Sequence, residues 1–172
     1  MTAARGDPAR DPSRSVWVAA SAGSGKTYVL VDRLLVLLLA ETAPSRLMCV
    51  TFTKAAAAEM ANRLHKVLAG WARGDDAALI ESLEPLIGAD PGAGTLARAR
   101  RLFAQVLETP GGLKIQTVHS FCESLLGRFP LEAGIAPHFD VMDERTAAEA
   151  QGAARDAVLE AAAADRGGRV AQ

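Results

Sequence analysis

The stretch Val16-Trp17-Val18-Ala19-Ala20-Ser21-Ala22-Gly23-Ser24-Gly25-Lys26-Thr27 limits what this chain can fold into more than any other. A short apolar run comes first, then a loop of small residues ending in Gly-Lys-Thr, and a long apolar segment follows. That order of strand, loop and helix is the framework of a phosphate-binding P-loop. Gly23 and Gly25 tolerate the positive φ that turns successive N–H groups inward to make a nest for phosphate oxygens. The candidate nucleotide-binding positions are Ala20, Ser21, Ala22, Gly23, Ser24, Gly25, Lys26 and Thr27. Lys26 would reach the β- and γ-phosphates, and the Thr27 hydroxyl is the candidate ligand for Mg²⁺, so these two are also the candidate catalytic pair. The helix that starts there points the positive end of its dipole at the same anion. Ala20 stands where the usual pattern has Gly, but the Gly-x-Gly-Lys-Thr core is intact. The competing reading is a Gly-Ser loop ahead of a buried helix, which would not require this order of elements. The stretch points to ATP, or another nucleoside triphosphate, held with Mg²⁺.

The net charge is −1, so the chain as a whole does not attract a polyanion, and any nucleic-acid contact has to come from a local patch. Hydrophobic residues make up 49% of the chain, enough to build a core and to exclude an intrinsically disordered protein. Cys49 and Cys122 have neither a pairing motif nor metal-ligand spacing, and are expected to be buried free thiols of a reducing compartment. Residues 1–14 are charged, hold no apolar run and do not make a signal peptide. The apolar run 34–40 is far shorter than the about 20 residues a bilayer requires. A cytoplasmic location is the expectation.

Along the chain, residues 1–14 are expected to form a mobile leader and 15–20 a strand, with a helix over about 25–41. The continuous apolar run 47–52 predicts a second strand, covered on both faces. Met60, Leu64, Val67, Leu68 and Trp71 share one face of a helix over about 54–71, and Glu59 can pair with Arg63 outside it. The Ala55–Ala58 run reads either as good helix propensity or as room for close approach by a neighbouring backbone or ligand. Residues 74–94 predict a short helix and a Gly-rich loop. Leu96, Ala99, Leu102, Phe103, Val106 and Leu107 mark the next helix, on which Arg98, Arg100 and Arg101 read as a solvated basic face. A third strand is expected over 113–118, a helix over about 120–129, a short strand over 139–142 and an Ala-rich helix over 144–164. The fold class is α/β: a parallel sheet with helices on both faces, forming an incomplete P-loop domain. Residues 15–142 would be its first part and 143–172 the helical start of an inserted or following module.

Three of these segments resemble one family. Ala20 to Thr27 is similar to the first motif of superfamily 1 helicases of the UvrD/Rep type, which often carry Ala at the first loop position. Val50-Thr51-Phe52-Thr53-Lys54-Ala55-Ala56-Ala57-Ala58-Glu59-Met60 resembles their second motif. Gln116-Thr117-Val118-His119-Ser120-Phe121-Cys122 resembles their Thr-Phe-His-Ser-Phe segment. The likeness is greatest to the AddA type of helicase–nuclease in bacterial double-strand-break repair, in its alphaproteobacterial form. Asn62-Arg63-Leu64, the run from Glu108 to Thr117, and Arg128 to Gly134 carry that part of it.

The resemblance implies a RecA-like motor domain that binds ATP and Mg²⁺, with Phe52, Thr53, Lys54 and His119 on the path of single-stranded DNA. It also implies action on DNA duplex ends beside an AddB-type partner. Two features depart from the pattern: Lys54 stands where many relatives have Asn, and residues 1–14 contain no Gln to read adenine. Phe139 to Glu144 mimics a Walker B strand, but Asp140 interrupts its apolar run, and in the family that motif comes later. The chain alone is therefore expected to be inactive. Independently of the family, Phe52 and His119 end apolar runs at strand carboxyl ends, where ligands collect in parallel sheets, although core packing and strand capping remain open for them. Two other functions compete. One is a small P-loop kinase, with Asp143 or Glu144 near Mg²⁺ and the 98–101 Arg cluster as a lid; the other is a non-catalytic nucleic-acid-binding remnant.

Overall fold

The computed structural model describes residues 8–19, 21, 23 and 25–164 and divides into two units, residues 1–123 and 124–172. The first unit is built around four helices. α1 (Lys26–Leu39) buries Val31, Leu34, Leu35 and Leu38, whose spacing keeps them on one stripe. A 3₁₀ turn at Pro44–Arg46 leads to strand β1 (Met48–Thr51). α2 (Lys54–Arg73) starts where the Thr53 side chain accepts a hydrogen bond from the Ala56 N–H at 3.1 Å, and it buries Met60, Leu64, Leu68 and Trp71. Asp75 caps α3 (Asp76–Ile87) through the Ala78 N–H, and Gly88 ends it at φ 71°. α4 (Ala93–Glu108) adds Ala99, Leu102 and Val106 to the same apolar cluster. Leu64, Leu68 and Leu83 are wholly sequestered in it, each worth about 1.5–3 kcal/mol of burial.

Strand β2 (Lys114–Thr117) returns beside β1 and pairs with it in parallel, Met48 opposite Lys114 and Thr51 opposite Thr117. Such pairing needs a long crossover, supplied here by α2, α3 and α4. The α/β class and the parallel relation of the strands expected at 47–52 and 113–118 both hold. Among the described residues, helices over both faces of the sheet do not. Cys49, Leu113 and Ile115 pack against the helical core, whereas Met48 and Val50 alternate to the opposite face and are exposed.

Other expectations are corrected. Residues 15–19 form no strand, and residue 20 lies outside the described residues. Val16 and Val18 are exposed and Trp17 is 91% exposed, because among the described residues no ladder takes up this segment. Residues 139–142 are likewise irregular, with Val141 and Met142 exposed. Leu107 is exposed, since it follows Val106 by one position and so leaves the buried stripe. Arg98 donates to the Leu39 carbonyl and pairs with Glu41, and Arg100 donates to the Gly74 carbonyl and pairs with Asp76. Those two arginines tie helix ends together instead of forming a solvated face. Of the expected leader, residues 8–14 are held against α1 by Arg33, which donates to the carbonyls of Ala9, Asp11 and Arg14. Residues 1–7 lie outside the described residues.

α5 (Val118–Arg128) follows β2 directly and has no buried residue, so Cys122 is exposed rather than buried; Cys49 is half-buried, and burial pushes its thiol pKa up. The second unit contains α6 (Glu144–Ala164), capped by Asp143, which accepts from the Thr146 N–H at 2.7 Å. No residue of α6 is buried. Among the described residues no helix is long and apolar enough to cross a membrane.

Candidate nucleotide and nucleic-acid site

The loop ahead of α1 has the backbone its sequence calls for. Gly23 has φ 76° and Gly25 φ 85°, values that residues with a Cβ rarely adopt. Gly25 is the N-cap of α1, and its carbonyl accepts from the N–H groups of Tyr28 at 2.9 Å and Val29 at 3.2 Å. α2 and α3 are capped by the side chains of Thr53 and Asp75, but α1 has no side-chain cap and no acidic residue in its first turn. The start of α1 therefore presents backbone donors and a positive dipole end with no carboxylate to compete for them. Lys26 is exposed and its ammonium group donates to the Ser21 carbonyl, so its side chain turns back over the loop. Thr27 is half-buried beside it. Ala20, Ala22 and Ser24 lie outside the described residues. The donor set present suits a triphosphate: a loop turned by two left-handed glycines, one flexible cation and one hydroxyl at a helix start.

The second cluster lies at the carboxyl ends of the two strands. Because Thr51 pairs with Thr117, the residues that leave the sheet at this edge are Phe52 and Thr53 from one strand, and Val118 and His119 from the other. The Phe52 ring is 89% exposed, which removes core packing as its role. His119 is exposed too, but it is the second residue of α5 and not the end of the strand. Lys54 is exposed as the first residue of α2, while the Thr53 hydroxyl accepts from the Ala56 N–H. In the alanine run, Ala57 faces the core and Ala55 and Ala58 are exposed. The edge thus carries an aromatic face, a cation, an imidazole and the starts of two helices. These groups can stack a base and donate to phosphate.

Two features of the site are not legible from local patterns. The buried Thr117 accepts from the Ser120 N–H at 3.1 Å and shares a hydrogen bond with its hydroxyl, fixing the start of α5 beside Phe52's edge. Arg63 stands over the Tyr28 ring, 3.8 Å from its centroid, and pairs with Glu59 at 3.0 Å, the pairing its helical spacing predicts. The contact joins the first turn of α1 to the helix that begins at Lys54.

The UvrD/REP helicase N-terminal domain matches residues 1–166, nearly the whole chain. The chain belongs to the UvrD/REP helicase family. It is similar to the ATP-dependent helicase/nuclease AddA of Desulforudis audaxviator, 38% identical over 138 residues, which is 78% of this chain and 9% of that protein. The corresponding helicase/nuclease of Pelotomaculum thermopropionicum is 38% identical over 148 residues, 84% of the chain and 10% of the relative. That of Listeria monocytogenes is 36% identical over 132 residues, 75% of the chain and 9% of the relative. This UvrD/REP domain chain thus spans about a tenth of the length of the curated relatives it matches. Some of the features a kinase would use are otherwise engaged in it: Asp143 caps α6, and Arg98 and Arg100 hold helix ends, while Glu144 and Arg101 are exposed.

Proposed function

We propose that this chain is the first part of the RecA-like motor domain of an AddA-type helicase–nuclease, an ATP-dependent DNA helicase of double-strand-break repair. The observation that carries the reading is the parallel register of β1 and β2. It brings Phe52, Thr53 and His119 to one exposed edge although they are far apart in sequence.

In this reading the loop from Ala20 to Thr27 holds ATP. Lys26 would neutralise phosphate charge, and the Thr27 hydroxyl would be a ligand to Mg²⁺, which would supply further charge neutralisation at the phosphates. Phe52 stacks a base of single-stranded DNA, while Thr53, Lys54 and His119 bind its backbone or base edges. Residues 15–142 form the motor portion and 143–172 open a further helical module. The exposed Met48 and Val50 face would be covered in a complete parallel sheet with helices on both sides. Duplex DNA ends as substrate, an AddB-type partner and a cytoplasmic location belong to the full-length protein, as does ATP hydrolysis. Turnover requires a metal-holding carboxylate besides the Thr27 hydroxyl and a cation on the transferring phosphoryl group, and this chain by itself is proposed to bind without turning over.

Fluorescence anisotropy with a labelled single-stranded oligonucleotide, competed by blunt duplex, tests the reading. Single strand should displace the probe at lower concentration than duplex. Equal competition, or no binding at all, would refute the strand-edge site.

A further inference from the structure

The turn that carries His119 is closed by a single buried hydroxyl. Thr117 is the last residue of β2 and pairs with Thr51, and α5 begins at the next position, Val118, with no loop between them. Thr117 is 6% exposed, and among the described residues it is the one buried polar residue. Its hydroxyl oxygen accepts from the Ser120 N–H at 3.1 Å and shares a hydrogen bond with the Ser120 hydroxyl at 3.0 Å. The Ser120 amide is the third of α5, one of the donors that a helix start leaves without an internal carbonyl.

β1 hands over to its helix differently. Phe52 and Thr53 intervene between Thr51 and α2, and the cap there is the exposed Thr53, 3.1 Å from the Ala56 N–H. On β2 one residue is both the last rung of the ladder and the cap, which is possible because a capping residue keeps extended backbone angles. Between that rung and Ser120 stand only Val118 and His119, so a rotation at Thr117 swings His119 directly. His119 itself is exposed and lies on the edge that carries Phe52. A valine would fill the same volume with a similar strand preference and no hydroxyl to desolvate, so what threonine adds at this position is the cap.

We propose that Thr117 is a positioning residue for single-stranded DNA: its hydroxyl fixes the first turn of α5 so that the His119 imidazole is set on the Phe52 edge before the strand arrives. This role rests on the strand-edge reading given above and names what aims one of the groups in it. Thr117 is buried, touches no part of the strand and acts through His119. Fixing a side chain in advance raises affinity by the ordering cost avoided.

Fluorescence anisotropy of the 172-residue chain with a labelled single-stranded oligonucleotide tests it. The proteins are the wild type, Thr117→Val, Thr117→Ser, Ser120→Ala and His119→Ala, with Thr117→Val and Ser120→Ala each repeated in the His119→Ala background. Circular dichroism follows the fold of each. His119→Ala should weaken binding about tenfold, and Thr117→Val about threefold, less than deletion of the group it acts through. Thr117→Ser keeps the hydroxyl and should bind like the wild type. Beside His119→Ala, Thr117→Val should cost nothing further, a result that general destabilisation of the edge would not give. Ser120→Ala removes only the hydroxyl partner and should weaken binding about twofold, again only while His119 is present. It decides the matter if Thr117→Val does not fold. Wild-type affinity in Thr117→Val, a loss that persists undiminished beside His119→Ala, or Thr117→Ser as weak as Thr117→Val would overturn the proposal. So would wild-type affinity in Ser120→Ala when Thr117→Val does not fold. His119→Ala indistinguishable from the wild type, or no binding by the wild type, would instead overturn the strand-edge reading of His119, and its positioning with it.

Discussion

The guanidinium of Arg63 lies over the ring of Tyr28, 3.8 Å from its centroid. Tyr28 is in the first turn of α1, directly after Lys26 and Thr27, and Arg63 is near the middle of α2, whose first residue follows Phe52 and Thr53. One side-chain contact thus connects the helix of the phosphate loop to the helix of the strand-edge cluster. A cation over an exposed aromatic face is worth about 0.5–1 kcal/mol. Denaturant melting of Tyr28→Ala, Arg63→Ala and the double variant should give a coupling of about that size. Strictly additive losses would show that the contact contributes nothing.

The start of α6 should respond to acid through Asp143. Asp143 accepts hydrogen bonds from the backbone and side chain of Thr146, and this holds its carboxyl pKa below the ordinary 3.8. A carboxyl with a lowered folded-state pKa contributes stability above its unfolded value and loses it as pH falls through the folded value. Far-UV circular dichroism should therefore show α6 losing helix on acidification below 3.8. Asp143→Ala should be less helical at neutral pH and lack that component of the titration. Superimposable titrations of the two proteins would contradict the capping role.

Much of this architecture is legible in the sequence. The stripes Val31-Leu34-Leu35-Leu38 and Met60-Leu64-Leu68-Trp71 recur at helical spacing and all face one core, so local pattern and tertiary burial agree. The glycines and Lys26 announce their loop because only a few residue types adopt that backbone. Residues 15–19 show the limit of such reading: an apolar run states that a segment can be buried, but a strand also needs a ladder partner, which composition does not reveal. Arg98, Arg100 and Arg33 show another. Their charge is visible, but their acceptors are carbonyls of distant helix ends and of residues 9, 11 and 14. Arg63 and Tyr28 are separated by most of α1, β1 and the start of α2, so no periodicity links them.

Phe52 separates packing from binding. Its ring is 89% exposed, so Phe52→Ala should leave the melting transition and circular dichroism spectrum unchanged. If the ring stacks a base, the same change should cost about 1–3 kcal/mol of single-strand affinity, read by oligonucleotide anisotropy. A loss of folding would return Phe52 to a structural role. Unchanged affinity would remove it from the DNA path.

The central claim is that the loop with Gly23, Gly25, Lys26 and Thr27 binds a nucleoside triphosphate, and calorimetric titration of Mg·ATP into the wild type and Lys26→Ala measures it most directly. Removing one partner of a charge-assisted phosphate contact in a partly desolvated site costs roughly 2–5 kcal/mol. The account predicts saturable binding to the wild-type chain and a loss of that size in the variant, with both proteins equally folded by circular dichroism. Equal dissociation constants for the two, or no heat of binding with either, would contradict it.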